Sequence, residues 1–423
     1  MNPYLIVIVA VLVGRYLLDL VADWLNARHV SEKIPAEFEG YYDAEKYRTS
    51  QNYLRENTKF GIIADTAQTF AALILVLSGG FNYVDRIARS FGLGSIPAGL
   101  IFAGILVLAF QILNLPFSVY GTFVIEERYG FNKTTPRTFA LDIVKSLLLT
   151  ALIGGIVFSV ILWFFEKMGS MAWIYCWAAI MVFQVFLIFI APYVIMPLFN
   201  KFVPIKNDEL RTAIKNYAKS QKFKMKGVFQ MDGSRRSSKT NAFFTGFGRS
   251  RRIVLLDTLI DKHSVPELVS IVGHEMGHYK KKHIQLAIVR SALMTGLTLF
   301  LLSLFIGNKR LFDAFKMENV SIYASLFFFG FLYTPIAMVI SIIENAISRK
   351  QEYEADAFAV NTCGNFEAMI LGLKKLSVDN LSNLIPHPLK VFLSYSHPPV
   401  LERIRAIRAR TSAPSETNAT YMA

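Results

Sequence analysis

Hydrophobic positions in this chain run in long blocks. Seven stand out: about Pro3 to Leu25, Gly61 to Val84, Ile96 to Val124, Ser146 to Phe165, Met171 to Phe199, Ile284 to Gly307 and Val320 to Ile347. Each is long enough to cross a hydrocarbon core of roughly 30 Å, so each predicts a membrane-spanning helix. The first block carries Arg15 and Asp19 near its centre and lacks the small-residue cleavage site of a removed signal peptide, so it also reads as a span. Between the fifth and sixth blocks the pattern shortens. "NDELRTAIKNYAKSQ" predicts a capped helix, and "GVFQMD", "NAFFTGF" and "RRIVLLD" predict short strands separated by turn residues. "SVPELVSIVGHEMGHYKKKH" predicts a long helix, opened by a Ser264–Glu267 capping box with Pro266 in its first turn. The stretch after Arg349 reads as helical in pieces, and "TSAPSETNATYMA" at the end reads as disordered.

Composition agrees with a polytopic membrane protein. Of 423 residues, 53% are hydrophobic and 35 are Phe, and the mean hydropathy is +0.39, more apolar than soluble domains usually are. The formal net charge of +14 admits nucleic acid or a membrane surface as partner. The basic residues sit beside the spans and no DNA- or RNA-binding motif is present, so the expected partner is the lipid bilayer and not nucleic acid. Most Lys and Arg fall within residues 28–59, 126–145, 201–282 and the tail after Arg349. The other connections carry only Arg86, Arg89, Lys167, Lys309, Arg310 and Lys316. The positive-inside rule then puts the N-terminus outside, with residues 201–283 and the C-terminal tail in the cytoplasm. Two cysteines, Cys176 and Cys363, argue against both a disulfide framework and a Cys-based zinc site.

Charges inside the spans call for a reason. Arg15, Asp19 and Asp23 recur every four residues and share one helix face; Asp65, Arg290 and Glu344 are further cases. Such groups either line a wet cavity or hold helices together as ion pairs, and their spacing leaves both open.

The candidate chemistry lies in "HEMGH". His274 and His278 are four residues apart on one helix, so both imidazoles project from nearly the same face and can bind one zinc ion. Glu275 follows the first histidine, where it can act on a metal-bound water. The competing reading is two surface histidines and a solvated glutamate. The apolar neighbours Ile271, Val272 and Met276 oppose it, because burying those polar groups without partners is costly. A catalytic zinc needs a third protein ligand. Ile284 to Leu311 contains no acidic residue, and Lys281 and Ile284 occupy the metzincin Gly and His positions, with His283 one residue off. In "RKQEYEADAFA", Glu352 is the best remaining ligand candidate. Asp356, one turn later, could orient a ligand histidine through its ring N–H, while Glu354 points elsewhere by helical geometry. An ordinary amphipathic helix with exposed acids would read the same way.

The pairing of "HEMGH" with "EYEAD" resembles the type I CAAX prenyl endopeptidase family of membrane zinc metalloproteases. "EERYGFNKTT", "SSKTNAFFTGFGRSRRIVLLDTL" and "SHPPVLERI" resemble further elements of that family, so the likeness covers nearly the whole chain. It implies an all-α polytopic membrane protein. Seven transmembrane helices enclose a water-filled chamber, and a zincin-like α+β metalloprotease domain sits on the cytoplasmic side. The expected division is residues 1–200 for spans one to five and 201–283 for the motif segment. Residues 284–348 form spans six and seven, 349–411 the C-terminal part with the third ligand, and 412–423 a disordered tail. The resemblance implies one Zn²⁺ per chain on His274, His278 and Glu352, Glu275 as general base and Asp356 beside a ligand histidine. It further implies Asn241 on an edge strand that aligns substrate by β-augmentation, with His397 and Arg403 near the metal, stabilising the oxyanion or holding the substrate. The family removes the last three residues of prenylated C-a-a-X proteins, so the expected substrate is a peptide or protein, with or without a prenyl group. The alternatives are a general membrane-protein quality-control protease and a non-catalytic zinc-binding scaffold. The ending "TYMA", with no dilysine retrieval signal, leans towards a bacterial plasma membrane over the endoplasmic reticulum.

Overall fold

The computed structural model of the protein describes residues 2–31, 33–246 and 251–412. Among these, seven helices are long and apolar enough to cross a membrane: Pro3–Arg28, Ala44–Ser78, Ser95–Glu126, Pro136–Lys167, Gly169–Phe199, His283–Phe305 and Ile322–Cys363. The count agrees with the hydrophobic blocks, but several boundaries move. The second span ends at Ser78, not near Val84. Gly79 there has φ +79°, a left-handed conformation that glycine adopts without steric cost, and a separate helix, Gly80–Ser90, follows. Other spans outrun their apolar blocks because amphipathic turns continue the same helix. The seventh is an unbroken helix of 42 residues, about 63 Å at 1.5 Å per residue, roughly twice the hydrocarbon thickness. One rigid rod therefore carries residues 348–363 away from the bilayer, where a separate helix was expected.

At one end of the spans, Gly80–Ser90 and Lys309–Ala314 close a core of Phe81, Phe102, Phe312, Phe315, Tyr323 and Phe328. At the other end lies a four-stranded sheet in the order β1-β2-β4-β3. Here β1 is Phe202–Pro204, β2 Gly227–Met231, β3 Ala242–Thr245 and β4 Arg252–Leu256. The pairs β1–β2 and β3–β4 are antiparallel and β2–β4 is parallel. Three strands match the expected segments. β1 was not anticipated, since "FVP" is too short to carry an alternating signal. The helices Asp208–Ser220 and Val265–Lys280 pack on the sheet through Leu210, Ile214, Ile253, Leu255, Leu268 and Val272, all fully or almost fully buried. The capping box forms: the Ser264 N–H donates to Glu267 Oε2 at 3.1 Å. The tail expected to be disordered lies outside the described residues, apart from Ser412 at the end of the last helix, Val400–Ser412. Residues 247–250, within the stretch that resembles the family's pre-motif segment, also lie outside them.

The two possibilities for intramembrane charge both occur. Arg290 donates from Nε to both oxygens of Glu344 at 3.0 Å, an ion pair between spans six and seven. Arg15, Asp19, Asp23 and Asp65 instead line a cavity of about 580 Å³ together with Lys390.

Candidate active site

The motif helix Val265–Lys280 lies against the emergent part of the seventh span, and two glycines permit the approach. A Cβ on Gly277 would stand 2.9 Å from Ala355 Cα and 3.0 Å from its carbonyl oxygen. A Cβ on Gly273 would stand 2.7 Å from Cys363 Sγ and 2.9 Å from the Tyr217 hydroxyl oxygen. The backbones meet where any side chain would intervene. That contact sets Glu352, one turn before Ala355, opposite the histidines.

His274 Nε2 and His278 Nε2 are 3.1 Å apart. Glu352 Oε2 is 3.4 Å from the first and Oε1 is 3.2 Å from the second. One ligand atom from each residue falls within a 4.8 Å cluster. Glu352 and Asp356 are each 3% exposed, which rules out an ordinary amphipathic helix with exposed acids. Asp356 Oδ1 accepts from His274 Nδ1 at 2.8 Å. An ionised carboxylate can only accept, so His274 Nδ1 carries hydrogen, and when the ring is neutral its Nε2 lone pair faces the cluster. Arg403 donates to Asp356 from Nε at 2.8 Å and Nη2 at 2.6 Å, and its Nη1 lies 3.4 Å from Glu352 Oε2. Glu352 Oε2 has no hydrogen-bond partner although it is buried.

Such a donor set fits a divalent metal. Two imidazole nitrogens 3.1 Å apart and a buried carboxylate oxygen with no hydrogen-bond partner converge on one point, and a cation there would satisfy that oxygen. In the metal-free protein, burial disfavours a charged His274, but the Asp356 and Glu352 carboxylates outweigh burial and lift its pKa to about 9. Metal binding must displace that proton. Burial pushes the Glu275 carboxyl up, towards the range of a group that can both take and return a proton near neutrality.

Two family models match the chain: "CAAX prenyl protease N-terminal, five membrane helices" over residues 24–201 and "Peptidase family M48" over residues 204–411. The chain is 36% identical to "Probable CAAX prenyl protease 1" of Schizosaccharomyces pombe, across 96% of this chain and 88% of that protein. It is 31% identical to "CAAX prenyl protease 1" of Saccharomyces cerevisiae, across 96% and 95% respectively. The crystal structure of S. mikatae Ste24p superposes with a TM-score of 0.91 at 31% identity, covering 96% of this chain and 99% of that one. The chain belongs to the CAAX prenyl protease family. It is a multi-pass membrane metallopeptidase, as the resemblance implied. The relatives are eukaryotic, and the lean towards a bacterial plasma membrane finds no support in them.

Other residues of this M48 peptidase surround the cluster. Glu275, His397, Arg403 and Asn241 all line a cavity of about 410 Å³ that opens over Glu352. His397 is largely exposed, with Nε2 3.4 Å from Glu352 Oε1. Arg403 is turned to its two carboxylates. Asn241 stands one residue before β3 and not within it; its carbonyl accepts from the Leu256 N–H at 3.1 Å and continues the ladder with β4. β3 ends the sheet order, so its outer edge is unpaired in the sheet.

Sequence reasoning missed three arrangements. Asn380 clamps the strand approach: Oδ1 accepts from the Thr240 N–H at 2.9 Å and Nδ2 donates to the Thr240 carbonyl at 3.1 Å. "EERYGFNKTT" supports the same segment from the other side. The Ser238 N–H donates to the Phe131 carbonyl at 3.0 Å, and Lys239 Nζ pairs with Glu126 Oε2 at 2.9 Å. The loop was legible as a family signature, but its docking on residues 237–239 was not. The third is the partner of Glu354: that side chain points away from the ligand cluster, as expected, and meets His283.

Proposed function

We propose that the protein is a zinc endopeptidase that cuts near the C-terminus of prenylated C-a-a-X polypeptides. The observation that carries this reading is the convergence of His274, His278 and the unsatisfied Glu352 carboxylate beside Glu275, in a cavity bordered by a sheet edge. The three residues would hold one zinc ion, which when bound activates water near neutral pH and polarises the scissile carbonyl. Glu275 accepts the proton of the attacking water at its carboxylate and returns it to the leaving nitrogen. His397, at the cavity wall, donates to the developing oxyanion. Arg403 and Asp356 hold Glu352 and His274 in place, and Arg403 acts through those carboxylates. The outer edge of β3, residues 242–245, offers backbone groups to an extended substrate, with Asn241 immediately before that strand. Ile271, Met369 and Leu373 line the same cavity and suit an aliphatic side chain such as the C-a-a-X pattern carries.

The relatives' names supply the C-a-a-X specificity, and family membership supplies the expectation of zinc. The distribution of Lys and Arg favours a cytoplasmic site with the N-terminus outside, and we read the basic excess as facing lipid headgroups and not nucleic acid. We divide the chain into residues 1–200, 201–283, 284–348 and 349–411.

The test is a matched peptide assay in detergent. One C-terminal peptide is offered farnesylated and bare, and the products are mapped by mass. Preferential cutting of the farnesylated peptide three residues from its end is the expected result. Equal cutting of both would replace C-a-a-X processing with general proteolysis, and no cutting by the zinc-loaded protein would leave a scaffold.

A further inference from the structure

His283 opens the sixth span and is 4% exposed, yet no role above uses it. Lys282 before it has φ +61°, a left-handed conformation costly for a residue with a Cβ. That turn sends the next helix off in a new direction and folds the His283 ring back against the motif helix. Its Nδ1 lies 3.1 Å from His278 Nδ1, and its Nε2 lies 3.0 Å from Glu354 Oε2.

The protons in this chain can be assigned from one end. The Glu354 carboxylate only accepts, so His283 Nε2 carries hydrogen. A neutral His283 then presents a lone pair at Nδ1. His278 fills that acceptor with its own Nδ1–H, and the His278 lone pair is left on Nε2. That atom is the one beside His274 Nε2 and 3.2 Å from Glu352 Oε1. The opposite assignment would put the His278 hydrogen on Nε2, inside the ligand cluster, and remove the donor pair. We propose that His283 and Glu354 form a positioning pair that fixes the tautomer and ring orientation of His278 for metal binding. Asp356 does this for His274 directly; among the described residues no carboxylate contacts His278 Nδ1, and a second imidazole bridges the gap to Glu354. The two ligand histidines are thus steered by acids two residues apart on the same emergent helix.

The inference rests on His278 being a metal ligand. Its test is zinc affinity of the full-length protein in detergent, by chelator competition, with the visible spectrum of the cobalt-substituted protein as a second readout. His283→Leu is expected to weaken zinc binding about 10- to 100-fold. Glu354→Ala should shift affinity in the same direction by less, because that side chain is 40% exposed, and Glu354→Gln, which keeps an acceptor, should restore most of it. Both losing variants should alter the cobalt spectrum. Unchanged affinity and spectrum in His283→Leu and Glu354→Ala would overturn the proposal, and if His283→Leu does not fold, Glu354→Ala decides. Glu352→Ala separates this outcome from failure of the ligand assignment. If that variant retains one zinc per chain, the assignment falls and takes this inference with it; if it loses zinc while the other variants keep it, only the inference falls.

Discussion

Two clusters of charge lie in this mostly apolar chain. At the motif helix, His274, Glu352 and Asp356 are each less than one-tenth exposed, and their partners stand at fixed distances. In the cavity between the first two spans, Arg15 and Asp19 are 3.6 Å apart with side chains 58% and 47% exposed, and Asp23 pairs with Lys390 at 2.5 Å. The first cluster is buried and oriented. It has one unsatisfied oxygen, and that oxygen faces the point where a cation would bind. The second is more open: Arg15 and Asp19 are about half exposed, although Asp23 and Lys390 keep only about a fifth of their side-chain surface. Burial makes orientation matter: removing one member of the buried cluster strands its partners, whereas water can replace an exposed member of the more open one.

The largest expected difference between the two comes from Glu275→Gln. The amide cannot take a proton, so turnover should fall about 10²- to 10⁴-fold, while metal content, read by elemental analysis, stays near one per chain. Metal loss in that variant would make Glu275 a ligand and not the base. Glu352→Ala is the complement: metal content should fall towards zero, and full occupancy would sink the ligand assignment.

A smaller effect is expected from Gly277→Ala. The added methyl must displace the Ala355 backbone, 2.9 Å away, which is an overpacking cost of about 1–3 kcal/mol. Because the seventh-span helix would be pushed back with Glu352 on it, zinc affinity should fall together with the melting temperature. A lower melting temperature with unchanged zinc affinity would separate the packing of the two helices from the geometry of the ligands.

The motif and the spans were legible in the sequence because both are local patterns: a four-residue spacing on one helix, and apolar runs of membrane length. Glu352 was only partly legible, since a ligand on another helix becomes visible when the backbones of Gly277 and Ala355 are known to touch. The partner of Glu354 was hidden for a related reason. Helical geometry does turn it away from Glu352, but a third element, the start of the sixth span, brings His283 to meet it. Asn380 was invisible because its partner, the Thr240 backbone, is 140 residues away and has no side-chain signature. The full length of the seventh helix was missed because hydropathy marks where a helix leaves lipid, and not where the helix ends.

The smallest effect tests the more open cluster. Asp19→Asn removes one charge from the Arg15 pair, and both side chains are about half exposed, so the loss in stability should be about 0–1 kcal/mol. The neighbouring Asp23–Lys390 pair should persist, since Lys390 lies on the helix Pro388–Ser394 and reaches Asp23 without Asp19. Zinc content and turnover on a short peptide should not change, because nothing in the ligand cluster depends on that helix face. A longer substrate is the sharper probe. If turnover of a long prenylated peptide falls while that of the short one does not, the cavity charges act on substrate entering from the membrane half. If both are unchanged, water alone compensates the lost charge, and the contrast between the buried and the more open cluster holds in its simplest form.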